Sequence, residues 1–209
     1  MQVSKILRFL RDEIHTVVLA TADGEGNPFT CAADVMDCDE NGVYFLTARG
    51  KNLYARLQAR PFVALTGIKG ESTMTRAALS VRGKVREEPR EVLSRLLEKN
   101  PYMYEIYPAQ VSREALVAFC LYDGEGEWFD LSKKPIERRR FAVGGRAAVK
   151  NEEGRYLITG KCTGCGKCLD VCPQRCIDLS LTPAVILQAH CLRCGNCLSA
   201  CPAGGVERA

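Results

Sequence analysis

The chain has 209 residues and a formal charge of +4, with nine of its twelve cysteines after residue 160. That length allows one ordinary domain of about 150 residues and a small appended module. No apolar run approaches the 18 or more residues of a membrane span, and Met1 to Glu13 is too heavily charged for a signal peptide, so a cytoplasmic protein is expected.

In chain order, Val3, Ile6, Leu7, Leu10 and Ile14 recur at helical spacing and predict an amphipathic first helix. The period then changes. Strands are expected at 16–22, 29–36 and 43–47, separated by the turns Asp23–Pro28 and Asp39–Gly42, which makes a β-meander. A helical stretch from Lys51 to Arg60 ends before Pro61, and strands follow at 62–68 and 77–86. Pro89 opens a helix to about Lys99, with Val92, Leu93, Leu96 and Leu97 on one face. Ala115–Tyr122 and Glu127–Leu131 read as strands joined by a turn at Asp123–Gly126. Six or more strands and few helices predict a mainly β fold, a small antiparallel barrel.

Lys133 to Arg140 carries five basic residues and precedes Phe141–Gly145, so 133–154 reads as a basic tether; those charges serve as well for a phosphate or an acidic partner. The domain division expected is therefore 1–132, a linker at 133–154, and a module at 155–209.

That module holds the most specific signal. Cys162, Cys165, Cys168 and Cys172 precede Pro173, and Cys191, Cys194, Cys197 and Cys201 precede Pro202, each cysteine 29 residues after its counterpart. The unit is duplicated. Thiolates at i, i+3 and i+6 wrap three corners of an iron-sulfur cube, and Gly164, Gly166 and Gly195 permit the tight turns this needs. Structural zinc is the alternative, and four cysteines per run with a terminal proline fit it poorly. A disulfide framework needs an oxidising compartment, to which nothing in the chain points.

Residues 155–209 resemble a bacterial 2[4Fe-4S] ferredoxin. The resemblance implies two short hairpins, two short helices and crossed ligation. One cluster would take Cys162, Cys165, Cys168 and Cys201, the other Cys191, Cys194, Cys197 and Cys172. Cys176 departs from the pattern, standing where ferredoxins carry a small residue; it reads as a small buried side chain or a ninth ligand. Six basic residues against three acidic ones suit a fixed neighbour better than many partners. Each oxidised cluster carries about −2, which offsets the excess charge and argues against nucleic-acid binding.

Residues 1 to about 145 resemble the pyridoxamine 5'-phosphate oxidase-like, FMN-binding split β-barrel proteins. The residues that carry the resemblance are Val43–Thr47, Arg49–Leu53, Pro61–Leu65 and Leu79–Val85. It implies a six-stranded antiparallel FMN-binding barrel, a homodimer, an FMN phosphate held by Thr47, Arg49, Lys51 and Asn52, and the strand Thr30, Cys31 and Ala32 along the isoalloxazine. Arg82 would add charge, and a helix starting near Lys51 would add amides. Pyridoxal-phosphate residues do not map, so pyridoxamine oxidation is not carried over.

Of the other features, Tyr102, Tyr104 and Tyr107 either roof a flavin or pack at a dimer surface, and Trp128 reads as core or interface. Cys120 reads as core, Cys38 as an exposed turn residue, and Cys31 as buried or reactive. His15 and His190 show no carboxylate partner in sequence. The expected function is an oxidoreductase passing electrons between two [4Fe-4S] clusters and FMN, to or from a small organic substrate and a low-potential partner protein. The alternative is an electron-transfer module without its own substrate. A cluster-based sensor would need a DNA-binding element, and no helix-turn-helix signal is present.

Overall fold

The computed structural model describes residues 2–144 and 154–209. They divide into two compact units: residues 2–70, 78–128 and 140–144 form the first, and residues 71–77, 129–139 and 154–209 the second.

The first unit opens with helix α1 (Val3–Phe9), which widens into a π-helical turn at Leu10–Ile14 and buries Ile6, Leu7 and Leu10. The turn ends at His15, held at φ 60° and ψ −66°, a backbone conformation that costs a non-glycine residue about 1–3 kcal/mol. Strands β1 (Thr16–Ala22), β2 (Pro28–Asp39) and β3 (Gly42–Ala48) form the expected meander. A bulge between Val35 and Asp37 breaks the β2–β3 register. Helix α2 (Asn52–Ala59) stops before Pro61, strands β4 (Phe62–Lys69) and β5 (Ala77–Glu87) follow, and Pro89 caps helix α3 (Arg90–Lys99). Two single turns, α4 (Met103–Ile106) and α5 (Gln110–Arg113), lead into β6 (Leu116–Asp130) and β7 (Glu137–Gly144).

The strand order is β3-β2-β1-β4-β5-β6-β7, and a further β3–β6 pairing closes the first six into a ring. This is the six-stranded antiparallel barrel expected. Two of its details differ from the sequence reading. Asp123–Gly126 is no turn, because β6 runs unbroken through it for 15 residues. The glycines are there for close approach instead: a Cβ on Gly83 of β5 would meet the Asp123 carbonyl oxygen at 2.4 Å, and one on Gly124 would meet that of Arg82 at 2.7 Å. The second difference is at 133–154, where residues 137–144 are a sheet strand with Phe141 and Val143 buried; 145–153 lie outside the described residues.

The barrel interior is apolar. Leu19, Leu79, Phe45, Phe119 and Leu121 are all buried, and the rings of Phe45 and Phe119 stack at 5.8 Å. A second apolar layer lies under α3, where Leu93, Leu96 and Leu97 cover Met36, Tyr44, Ala118 and Cys120. Burying each leucine side chain contributes about 1.5–3 kcal/mol. Trp128 is buried edge-on against Phe9 at 4.9 Å, so it is core. Asp37 is the charged centre of this unit: its buried carboxylate accepts from Arg11 at 3.2 Å and Lys99 at 2.5 Å, joining the N-terminal helix, β2 and α3. Burial pulls the Asp37 carboxyl upward, but the Lys99 and Arg11 side chains and the Cys38 amide outweigh it and hold it below the usual carboxylate range. Cys38 itself is half-buried within β2 rather than exposed in a turn, and its burial pushes the thiol well up.

In the second unit, β8 (Tyr156–Ile158), helix α6 (Lys167–Asp170) and β9 (Ile177–Asp178) are followed 29 residues on by β10 (Val185–Ile186), helix α7 (Asn196–Ala200) and β11 (Val206–Arg208). β9 pairs with β10 and β11 pairs with β8, both antiparallel. Only the first pair is a local hairpin; the second ties the two ends of the module together. The left-handed positions repeat as well: Gly164 and Arg193, Gly166 and Gly195, and Arg175 and Gly204 all have positive φ. The tip of the β6–β7 hairpin belongs to this unit. Ile136 is buried, its amide donates to Gln174 Oε1 at 3.1 Å, and its carbonyl accepts from His190 Nδ1 at 2.8 Å.

Candidate functional site

The duplicated loops of the second unit arrange eight thiols around two cavities. Cys162, Cys165 and Cys168 line the first together with Cys201 from the other run. Cys191, Cys194 and Cys197 line the second together with Cys172. The cause is local. Each loop turns at left-handed glycines just before α6 and α7, so its three thiols face inward, and β8–β11 pairing carries Cys201 back to the first loop. Equivalent amides donate to equivalent sulfurs, Gly164 N to Cys162 at 3.4 Å and Arg193 N to Cys191 at 3.3 Å. Gly205 N adds a contact to Cys201 at 3.2 Å.

This donor set fits an iron-sulfur cube. Each cavity is lined by three cysteines of one run and the fourth of the other. The Lys167 amide holds the exposed Cys165 thiol below its ordinary value, whereas burial raises those of Cys168 and Cys197. Ligation takes thiolates, so loading releases protons from the buried thiols.

The barrel offers a separate cavity of about 500 Å³ on the outer face of its sheet, lined by Val18 and Ala20 of β1, Thr30 of β2, Ala64 and Thr66 of β4, Ser80 and Arg82 of β5, and Glu125 and Glu127 of β6. The register explains it: Val18 faces Ala32 and Thr66, and Ala20 faces Thr30 and Ala64, so small side chains share one face. Arg82 donates from Nε to Glu125 at 2.8 Å across the cavity edge, and Arg140 lies 3.6 Å from Glu127.

The eight residues expected to hold FMN fall into two groups. Thr30 and Arg82 line the cavity, and Ala32 shares Thr30's face of β2. Cys31 pairs with Leu19, a fully buried residue, and therefore shares the face opposite to Thr30. Thr47, Arg49, Lys51 and Asn52 instead cluster where β3 ends and α2 begins. There the Thr47 hydroxyl is buried without a hydrogen-bond partner, Arg49 Nη1 donates to the Glu114 carbonyl at 2.9 Å, and the α2 N-terminus has no side-chain cap. A buried orphan hydroxyl beside uncapped helix amides and the exposed Lys51 suits an anionic group.

Sequence reasoning missed one constellation. Tyr102 Oη donates to Asp34 at 2.9 Å, and His15 Nε2 lies 3.6 Å from the same oxygen and 3.3 Å from Tyr102 Oη. His15 thus does have a carboxylate neighbour, brought to it across 19 positions by the β1–β2 pairing. Tyr102 and Tyr107 pack against the α3 layer, and Tyr104 lies under Arg113 at 5.0 Å, so none of the three lines the cavity.

A closed six-stranded barrel followed by a doubled four-cysteine module defines a barrel protein carrying its own dicluster ferredoxin domain. Residues 3–121 match the pyridoxamine 5'-phosphate oxidase family model and residues 155–202 the 4Fe-4S dicluster domain model, and the chain belongs to the pyridoxamine 5'-phosphate oxidase family. Its fold is similar to that of a NimC/NimA family protein from Clostridium acetobutylicum (20% identity, TM-score 0.57, 67% of this chain and 91% of that one). It is also similar to a Clostridium acetobutylicum protein related to general stress protein 26, of the pyridoxinephosphate oxidase family (17%, TM-score 0.52, 65% and 91%). A third similar fold is a heme binding protein from Mycobacterium smegmatis (11%, TM-score 0.53, 69% and 59%). No curated protein matches the sequence.

Proposed function

We propose that this protein is an oxidoreductase in which two [4Fe-4S] clusters exchange electrons with an FMN held by the barrel, serving a small organic substrate and a low-potential partner protein. The observation that carries the reading is the gathering of the two crossed cysteine quartets around two cavities, in a chain whose other domain belongs to a family resembling the FMN-binding barrels. A flavin supplies the junction between one-electron and two-electron chemistry. The chain's own residues do the rest. Cys162, Cys165, Cys168 and Cys201 hold one cluster, and Cys191, Cys194, Cys197 and Cys172 the other. Thr47, Arg49, Lys51 and Asn52 offer a hydroxyl, two cations and a helix start to a phosphate. The small outward residues Ala20, Ala32 and Ala64 leave space for a planar ring, and Arg82 and Thr30 line it. The same reading includes a cytoplasmic homodimer and the division into a barrel at 1–132, a linker at 133–154 and a cluster domain at 155–209. Among the described residues no helix is long and apolar enough to cross a membrane.

Purification without oxygen, followed by assay of iron, sulfide and released flavin, tests the proposal. About eight irons, eight sulfides and one FMN per chain are expected. Iron and sulfide without flavin would leave an electron-transfer module with no flavin chemistry of its own. A haem spectrum would reassign the barrel, as in a relative of the same fold described as heme binding.

A further inference from the structure

The two cluster cages are equivalent by duplication and differ in their number of thiols. Cys176 and Gly205 stand 29 residues apart, each following a left-handed residue, Arg175 at φ 48° and Gly204 at φ 58°. The backbone therefore reaches the equivalent place in both halves. At Gly205 a side chain would be tight, because a Cβ there would meet the Cys162 amide nitrogen at 3.0 Å and the Lys161 carbonyl carbon at 3.2 Å. Position 176 carries a full side chain that is 3% exposed. Its Sγ lies 3.6 Å from Cys172 Sγ, and it lines the same cavity as Cys172, Cys191, Cys194 and Cys197. One cage is thus built from four thiols and the other from five.

We propose that Cys172 and Cys176 are interchangeable ligands for the fourth iron of the cluster held by Cys191, Cys194 and Cys197. This rests on the dicluster assignment. In the exchange, the iron–sulfur bond to Cys172 breaks as one to Cys176 forms, and the proton leaving the Cys176 thiol passes to the Cys172 sulfur in contact with it. No electron is gained or lost and no further reactant enters. Two sulfurs at van der Waals separation need only side-chain rotation to trade places. At Cys201 the corresponding neighbour is an amide, which donates to sulfur and cannot replace it.

The experiment compares full-length wild type, Cys172→Ala, Cys201→Ala and the double variant Cys172→Ala/Cys176→Ala, each reconstituted with iron and sulfide without oxygen. Iron and sulfide content and the electron paramagnetic resonance of oxidised samples are read. Wild type and Cys172→Ala are expected to hold about eight irons, whereas Cys201→Ala and the double variant fall to about seven or fewer, with a three-iron signal where a corner iron alone is lost. Loss in Cys172→Ala equal to that in Cys201→Ala overturns the proposal, as does failure of Cys172→Ala to yield soluble protein. Retention of eight irons by the double variant overturns it too. A wild-type count well under eight would remove the dicluster assignment itself, a failure visible before any variant is made.

Discussion

The barrel and the cluster domain solve the same problem, burial of enough surface to hold a chain, by different chemistry. The barrel encloses leucines, valines and stacked phenylalanines in a closed ring and covers one side with α3. The cluster domain has a buried set of eight residues of which four are cysteines, and its strands are two or three residues long. Strands that short and a core that thin do not offset chain entropy by themselves. The difference is that one unit is specified by packing and the other by ligation, and each should fail under conditions the other survives.

The largest expected effect follows directly. Removal of iron with a chelator, in the absence of oxygen, should abolish hydrogen-exchange protection in the β8–β11 and β9–β10 pairs and leave β1 to β6 protected. Protection retained by the iron-free cluster domain would break the comparison. In the other direction, Phe119→Ala should destabilise the barrel by about 3–5 kcal/mol in denaturant titration while the iron content of the folded fraction is unchanged.

Acid sharpens the contrast further. The folded pKa of Asp37 lies below its unfolded value near about 3.9, so the stabilisation it provides is complete above about pH 4 and is lost as pH falls through the depressed folded value. Asp37→Asn should cost about 1.5–3 kcal/mol at neutral pH and flatten the acid limb of barrel stability, measured by circular dichroism against pH. Thr47→Val should change barrel stability by less than about 1 kcal/mol, because the hydroxyl has no partner to lose, yet reduce the flavin retained on purification. Unchanged flavin would remove Thr47 from the phosphate site. The smallest effect is expected at Arg175, whose left-handed backbone matches Gly204 in the other repeat. Arg175→Gly should stabilise the holoprotein by at most about 1 kcal/mol in thermal unfolding.

How much of this was legible in the sequence depended on whether a residue's role is local. The meander, α3 and the cysteine pattern follow from spacing within a few residues, and all appear in the fold. Gly124 and Gly126 read as a turn because glycine marks turns and close approaches alike, and only the neighbouring strand distinguishes them. The run Arg138–Arg140 hid the alternation that buries Phe141 and Val143, so a sheet strand read as a tether. In the candidate site, the register decided what sequence could not. It turned Cys31 away from Thr30, gathered small side chains into a cavity, and set Asp34 beside His15 and Tyr102. Cys176 was visible as a departure from pattern, but its contact with Cys172 was not.

The hairpin between β6 and β7 sets the order of events during synthesis. Ile136 leaves the ribosome some forty residues ahead of Gln174 and more than fifty ahead of His190, the two side chains that bond to its backbone. The hairpin tip lacks both of these partners until the cysteine module is made. A gene fragment cut at residue 154 would encode every cysteine ligand and still lack that anchor. The ferredoxin module is thus no detachable cassette, and its transfer to another protein should carry the hairpin with it.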